Sequence, residues 1–263
     1  MTVTSELTEQ SLACQDVAVT LPGASGPIDI LRDVRFSVAK GEFVSILGTS
    51  GTGKTTLLRV LGGLLAASAG KVSWHGVDVT GPPAGVVTVF QDYTHSLLPW
   101  RTVRRNVALG IESQCSREER DSRVDAALSM VGLEKRADEY PWRLSGGMQQ
   151  RVQIARALAM KPQVLLMDEP FGALDAMTKA SLQDQMQQVQ ELTGTTIVFV
   201  THDVEEAVYL SDRVLVLHGS PANIGLSLEI PLERPRHQVS TKEDLSYLEL
   251  RHRVYEALGH GHG

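Results

Sequence analysis

The chain has 263 residues, 42% of them hydrophobic, enough for a large core without disulfide or metal staples. Its formal net charge is −6 and no Lys/Arg block breaks the pattern, which argues against a nucleic-acid partner. Cys14 and Cys115 stand far apart in no metal spacing, as suits a reducing cytosol, while Met1 to Gln10 lacks an apolar signal core and no apolar run approaches the roughly 18 residues of a membrane span. Any contact with a membrane is therefore expected to go through a partner. In chain order, the first elements read as short strands, Asp16 to Leu21 and Val34 to Val38, with a loop over Pro22 to Pro27 between them. They predict an antiparallel β-layer ahead of the buried strand Phe43 to Leu47.

That strand runs into Gly48-Thr49-Ser50-Gly51-Thr52-Gly53-Lys54-Thr55-Thr56, which fits the phosphate-loop pattern G-x-x-x-x-G-K-[ST], and a helix follows. The glycines let successive N–H groups turn toward an anion, and the helix dipole adds to the field. Lys54 is then expected on the β and γ phosphates and Thr55 on Mg²⁺. Further on, Gly70 to Trp74 and Val86 to Phe90 read as strands. From about 92 to 160 the pattern turns helical, including Ser122 to Val131 and Met148 to Met160, and predicts an inserted helical subdomain. Val164 to Met167 is a buried strand, Ala180 to Glu191 an amphipathic helix, and Thr196 to Val200 another buried strand. Strands alternating with helices predict a parallel sheet covered on both faces. Past Arg236 one helix is expected, Lys242 to Leu258, then a tail holding His260 and His262.

Ligands of an open parallel sheet sit beyond the carboxyl ends of its strands, so the polar residues there are the candidates for a site. Asp168 and Glu169 follow one buried strand: one carboxylate can hold Mg²⁺ beside Thr55 while the other deprotonates a water. Gln91 offers an amide to the metal or the water, and His202, in Thr201-His202-Asp203, a contact to the γ phosphate or simply a histidine at a helix start. Leu144-Ser145-Gly146-Gly147-Met148-Gln149-Gln150-Arg151 is a second glycine-bearing helix start, with Ser145 as its N-cap. Two phosphate-binding helix starts in one chain are used together if two chains face each other head to tail.

In their order along the chain, Gly48 to Thr56, Gln91, Leu144 to Arg151, Val164 to Pro170, Gly172-Ala173-Leu174-Asp175 and His202 resemble the ATP-binding subunits of ABC transporters. The resemblance covers residues 12–237 as the ATPase domain, with 238–263 left as a short C-terminal helix and tail. It implies an α/β fold of the P-loop NTPase kind: a parallel core sheet, an N-terminal antiparallel layer and the helical subdomain. It also implies Mg·ATP hydrolysis, a second ATPase subunit, separate integral membrane permease subunits, an indirect solute-binding protein, and a peripheral place on the cytoplasmic face of the membrane. By the same resemblance Glu169 is the catalytic base, assisted by His202 and Gln91. Asp168, Thr55 and Gln91 hold the metal. Ser145 and Gly147, in one segment with Gly146 and Gln149, reach the facing chain's nucleotide, and Asp175 couples the two sites. Ser96 to Trp100 and Ile230 to Arg236 look like the nitrate, sulfonate and taurine importer group, with Trp100 either an anchor for a membrane subunit or packed inside the helical subdomain. Where the family stacks an aromatic ring on adenine, the aligned residue is Leu21. The alternative is a soluble ABC ATPase, although the coiled-coil or zinc insertion of repair types and the second half of translation types are both missing from the sequence.

Overall fold

The computed structural model describes residues 10–91 and 96–259, so His260, His262 and the start of the helical stretch at 92–95 lie outside the described residues. A long hairpin, β1 (Gln10–Gly23) and β2 (Gly26–Ala39), precedes β3 (Phe43–Leu47) and α1 (Lys54–Leu61). β4 (Ala69–Trp74), β5 (Val77–Asp78) and β6 (Val86–Val89) follow. The helical stretch contains α2 (Val103–Ala108), α3 (Arg117–Met130) and α4 (Gly146–Ala159). β7 (Val164–Asp168), α5 (Ala176–Thr193), β8 (Thr196–Thr201) and α6 (Val204–Leu210) rebuild the core, and β9 (Arg213–Gly219), β10 (Ala222–Glu229), α7 (Ser240–Glu243) and α8 (Leu245–Gly259) complete it.

All ten strands join one mixed sheet in the order β5-β4-β1-β2-β10-β9-β3-β8-β7-β6. The half from β9 to β6 is parallel, the half from β5 to β2 antiparallel, and a single parallel bridge, Ala222 to Leu31, joins β10 to β2. Strand periodicity divides the apolar residues between two cores. Phe43, Leu165, Met167, Ile197 and Phe199 face the helices α2 to α6 and α8. Val44, Ile46, Val164, Leu166, Val198 and Val200 face the other way, onto α1 and the antiparallel layer. Because α1 is sandwiched there, the loop that begins it is held on both sides.

Several boundaries differ from the sequence reading. The stretch Pro22 to Pro27, expected to be a loop, is mostly strand: the register continues through Pro22↔Pro27 to Gly23↔Gly26, leaving Ala24 and Ser25 as the turn, with Gly26 at φ 126°. α3 starts five residues before the expected Ser122 because Ser116 caps it, its hydroxyl accepting from Glu119 N. α5 likewise starts at Ala176, capped by Asp175, whose carboxylate accepts from Thr178 N, rather than near Ala180. The C-terminal helix is broken at Asp244, which accepts from Ser246 N at 2.7 Å and starts α8 afresh. The hairpin of β9 and β10 was not anticipated.

The ends of these elements are tied by buried polar groups. Arg236 is buried and donates to the carbonyls of Tyr209 and Ser211 at 3.0 and 2.8 Å, closing the C-terminus of α6. α8 lies on α6, with Tyr247 fully buried and its hydroxyl donating to Glu205 at 2.7 Å. Tyr247→Ala removes both the ring and that bond, and is expected to cost about 3–5 kcal/mol of folding stability, read as a lower urea midpoint at an unchanged m-value.

Candidate functional site

The phosphate loop has the conformation its glycines permit. Gly51 and Gly53 sit at φ 81° and 89°, where a side chain is strained, and a Cβ on Gly53 would lie 2.8 Å from Ile30 Cγ2. Gly53 is also the N-cap of α1. The first N–H to return to the helix ladder is that of Leu57, to Gly53 O at 2.8 Å, so those of Lys54, Thr55 and Thr56 point out of the helix start. The Lys54 ammonium donates to the carbonyls of Gly48 and Thr49 at 2.9 and 3.0 Å. Burial lowers its pKa, against the opposing pull of Glu169 and Asp168.

Parallel register delivers the remaining groups. Leu47 lies opposite Thr201, and Val200 opposite Asp168, so the loops after β3, β8 and β7 converge on one edge. A cleft of 520 Å³ results, lined by Ile30, the loop from Ser50 to Thr56, Gln91, Glu169 and His202. The Thr55 hydroxyl donates to Asp168 Oδ2 at 2.8 Å. Asp168 is only 2% exposed, and burial raises its pKa, partly offset by the hydrogen bond from Thr55. Gln91 Nε2 donates to Glu169 Oε2 at 3.1 Å, and His202 Nδ1 lies 3.2 Å from the same oxygen. Thus the sequence candidates Gln91 and His202 meet at the Glu169 carboxylate, while Asp168 lies beneath the cleft against Thr55.

Glu169 holds an unusual backbone, φ 46°, and three elements keep it there. Its N–H donates to Val200 O at 2.9 Å, while its carbonyl accepts from Gly172 N at 3.3 Å and from Gln150 Nε2 at 3.4 Å. Gln150 is buried, and its Oε1 also accepts from Ala173 N at 3.2 Å. The sequence reading gave it no role; its signal was a polar residue on the inward face of a glycine-led helix. Lys179 was also missed. Its ammonium sits 2.7 Å from Asp203 and 2.6 Å from Glu206, tying α5 to the helix that follows His202.

Ser145, Gly146, Gly147, Gln149 and Asp175 do not line the cleft of their own chain. Ser145 is exposed and caps α4, accepting from Met148 N at 3.3 Å. A Cβ on Gly147 would sit 3.2 Å from Ala173 O, so the start of α4 is packed against the segment before Asp175. The Gln149 amide is turned inward, donating to Pro141 O at 3.0 Å and Leu144 O at 3.3 Å. Asp175 is exposed, and the hydrogen bond from Thr178 holds its carboxyl below the usual range. Trp100 is 72% exposed, which decides against its packing within the helical stretch. Leu21 pairs with Ile28 across the hairpin and is not among the lining residues of the cleft; Ile30 is the apolar side chain beside the loop.

With this geometry in view, residues 31–172 match the ABC transporter family. The chain belongs to it. Over 242 residues the cassette is 46% identical to the nitrate import ATP-binding protein NrtC of Synechococcus elongatus, covering 90% of this chain and 36% of that one. It is 40% identical over 261 residues to the bicarbonate transport ATP-binding protein CmpD of a Synechocystis species, covering 98% and 92%. The cassette thus spans about a third of the first curated relatives it matches, and nearly all of others. The dimeric ATP-binding cassette MJ0796 in a post-hydrolysis state with ADP and Pi superposes at a TM-score of 0.75, with 31% identity, 84% of this chain and 100% of that one covered. The ABC ATPase fold expected from the sequence is the fold observed.

Among the described residues no helix is long and apolar enough to cross a membrane. Asp168 also carries a consequence for stability. An acid whose folded pKa lies above its unfolded one weakens the fold once ionised, and the penalty fades as pH falls through the folded value. Asp168→Asn keeps an acceptor for Thr55, so the nucleotide-free variant should melt at a higher temperature than the parent at pH 7, with the gap closing on acidification in a pH series of thermal melts.

Proposed function

We propose that this chain is the ATP-hydrolysing subunit of an importer for a small oxyanion, of the nitrate, bicarbonate or sulfonate kind. It works as one of two cassettes on separate integral membrane permease subunits at the cytoplasmic face, with a solute-binding protein delivering the cargo. The observation that carries the catalytic part is the Glu169 carboxylate, fixed by Gln91 and His202 in the cleft of the phosphate loop. The cargo class is supported by the names of its relatives, and the paired state by the dimeric neighbour.

The donor set suits Mg²⁺. Thr55 and Asp168 offer hard oxygens already in contact, and among the described residues the buried carboxylate forms no ion pair, Lys54 being turned to its own loop. With Gln91 these residues would hold the ion, which when bound supplies charge neutralisation for the phosphates. Lys54 exchanges its carbonyl partners for phosphate oxygens, and the N–H groups of Gly51 to Thr56 orient the chain of phosphates. Glu169 accepts the proton of the attacking water, and its strained, triply pinned backbone sets the direction of that carboxylate. His202 leaves Glu169 to donate to the γ phosphate.

Ser145, Gly146 and Gly147, exposed or half-exposed and outside their own cleft, complete the site of the facing chain, with Gln149 bracing the turn before them. Asp175 stands at the same face. Trp100 is the exposed aromatic anchor for the permease.

Glu169→Gln should leave ATP affinity within about twofold and reduce steady-state phosphate release by roughly 10²–10⁴; hydrolysis near the parent rate would remove Glu169 from the role of base. Ser145→Arg should abolish phosphate release while nucleotide binding to the isolated monomer persists, because the partner's γ phosphate is what it obstructs. Full activity of that variant contradicts the shared site.

A further inference from the structure

A second cavity, of 630 Å³, lies at the other end of the parallel strands from the phosphate loop. Its wall includes Lys161 to Gln163 ahead of β7 and Thr195 to Thr196 at the start of β8, whereas the nucleotide cleft takes its residues from the far ends of those strands, and the two share no residue. Its size falls within the roughly 300–1,000 Å³ of small-molecule sites. The floor is apolar. Ala127 on α3, Ala159 at the end of α4 and Val189 on α5 are buried there, with Leu158 and Met130 at the side.

The rim is cationic. Lys40, His75, Arg123 and Lys161 all line the cavity, and no Asp or Glu does among the described residues. Lys40 and Lys161 are exposed and enter no ion pair among the described residues. Arg123 pairs with Glu119 through Nη2, but its Nε is buried without a hydrogen-bond partner. Three cations, Lys40, Arg123 and Lys161, around one cavity on a chain of net charge −6 are a local reversal of sign.

We propose that this cavity binds a small organic acid, its apolar body on Ala127, Leu158 and Val189 and its anionic group among Lys40, Arg123 and Lys161. The floor disfavours a compact, strongly hydrated anion, because it returns no hydrogen bonds for the water removed. The rim favours an acid over the neutral molecule of the same shape. A ligand with both parts satisfies both surfaces and places its negative charge at the rim that Lys40 and Lys161 leave unpaired among the described residues. The site is separate from hydrolysis and does not depend on which solute is carried.

Anilinonaphthalene sulfonate, an apolar body with one acidic group, is a suitable probe on the full chain, followed by fluorescence titration with and without saturating Mg·ATP. One saturable site per chain is expected, insensitive to nucleotide. Affinity should fall by about tenfold or more for the Lys40→Glu, Lys161→Glu double variant, and for uncharged phenylnaphthylamine on the parent protein. Ala126→Trp, an exposed residue at the mouth, should block binding, while Lys135→Glu, an exposed lysine away from the cavity, should not change it. Displacement by ATP, equal affinity for the uncharged analogue, or indifference to both charge reversal and Ala126→Trp would each overturn the proposal. Circular dichroism and melting of each variant confirm that the fold is intact, and both lysines being exposed makes the charge reversal the decisive arm.

Discussion

The parallel register of β3, β8 and β7 is the constraint on which the site depends. Three adjacent strands end at one level, Leu47 beside Thr201 and Asp168 beside Val200, so three separate loops must open onto the same edge. Alternating side chains on those strands are buried on both faces, which means that a shift of one residue would exchange the contents of two cores. Such a register is costly to disturb. The contact of Thr55 with Asp168 is a product of that alignment rather than its cause.

Around this edge the molecule spends buried polar groups on orientation. Gln150 bridges the carbonyl of Glu169 and the N–H of Ala173, and Gln153 donates to Phe90 O at 3.0 Å, so α4 is anchored to the loops after both β7 and β6. Lys179 joins the helix that Asp175 caps to the helix that follows His202. The residues expected to face a second chain are thereby rigidly connected to those that line the cleft of their own. That is an arrangement suited to passing the state of one site to the other, since each link is a short bond between packed elements.

What was legible in the sequence follows from how strictly each feature constrains its residues. The phosphate loop could be read directly because positive φ at Gly51 and Gly53 leaves few alternatives. The buried strands could be read because a parallel sheet covered on both faces needs unbroken apolar runs, as in Val164 to Met167. The turn Ala24-Ser25 carries none of the Asn-Gly or Asp-Gly signals of a tight hairpin, and its flanking prolines and glycines imitated a longer loop. Ser116 and Asp175 were overlooked as caps, so two helices were begun late. β10 alternates too weakly, with only Ala222 and Leu228 buried, to declare itself without its neighbour β9. Gln150 and Lys179 act through contacts 19 to 27 residues away along the chain, such as Glu169 and Glu206, and no local pattern marks them.

The two hydrogen bonds of the Lys54 ammonium have an implication for the loop that carries it. Donating to Gly48 O and Thr49 O, it ties the first residue of α1 back to the end of β3, so one side chain serves both as the charge beside the turn and as a brace for its backbone. A shorter or uncharged residue at this position would slacken the shape of the turn as well as remove the charge.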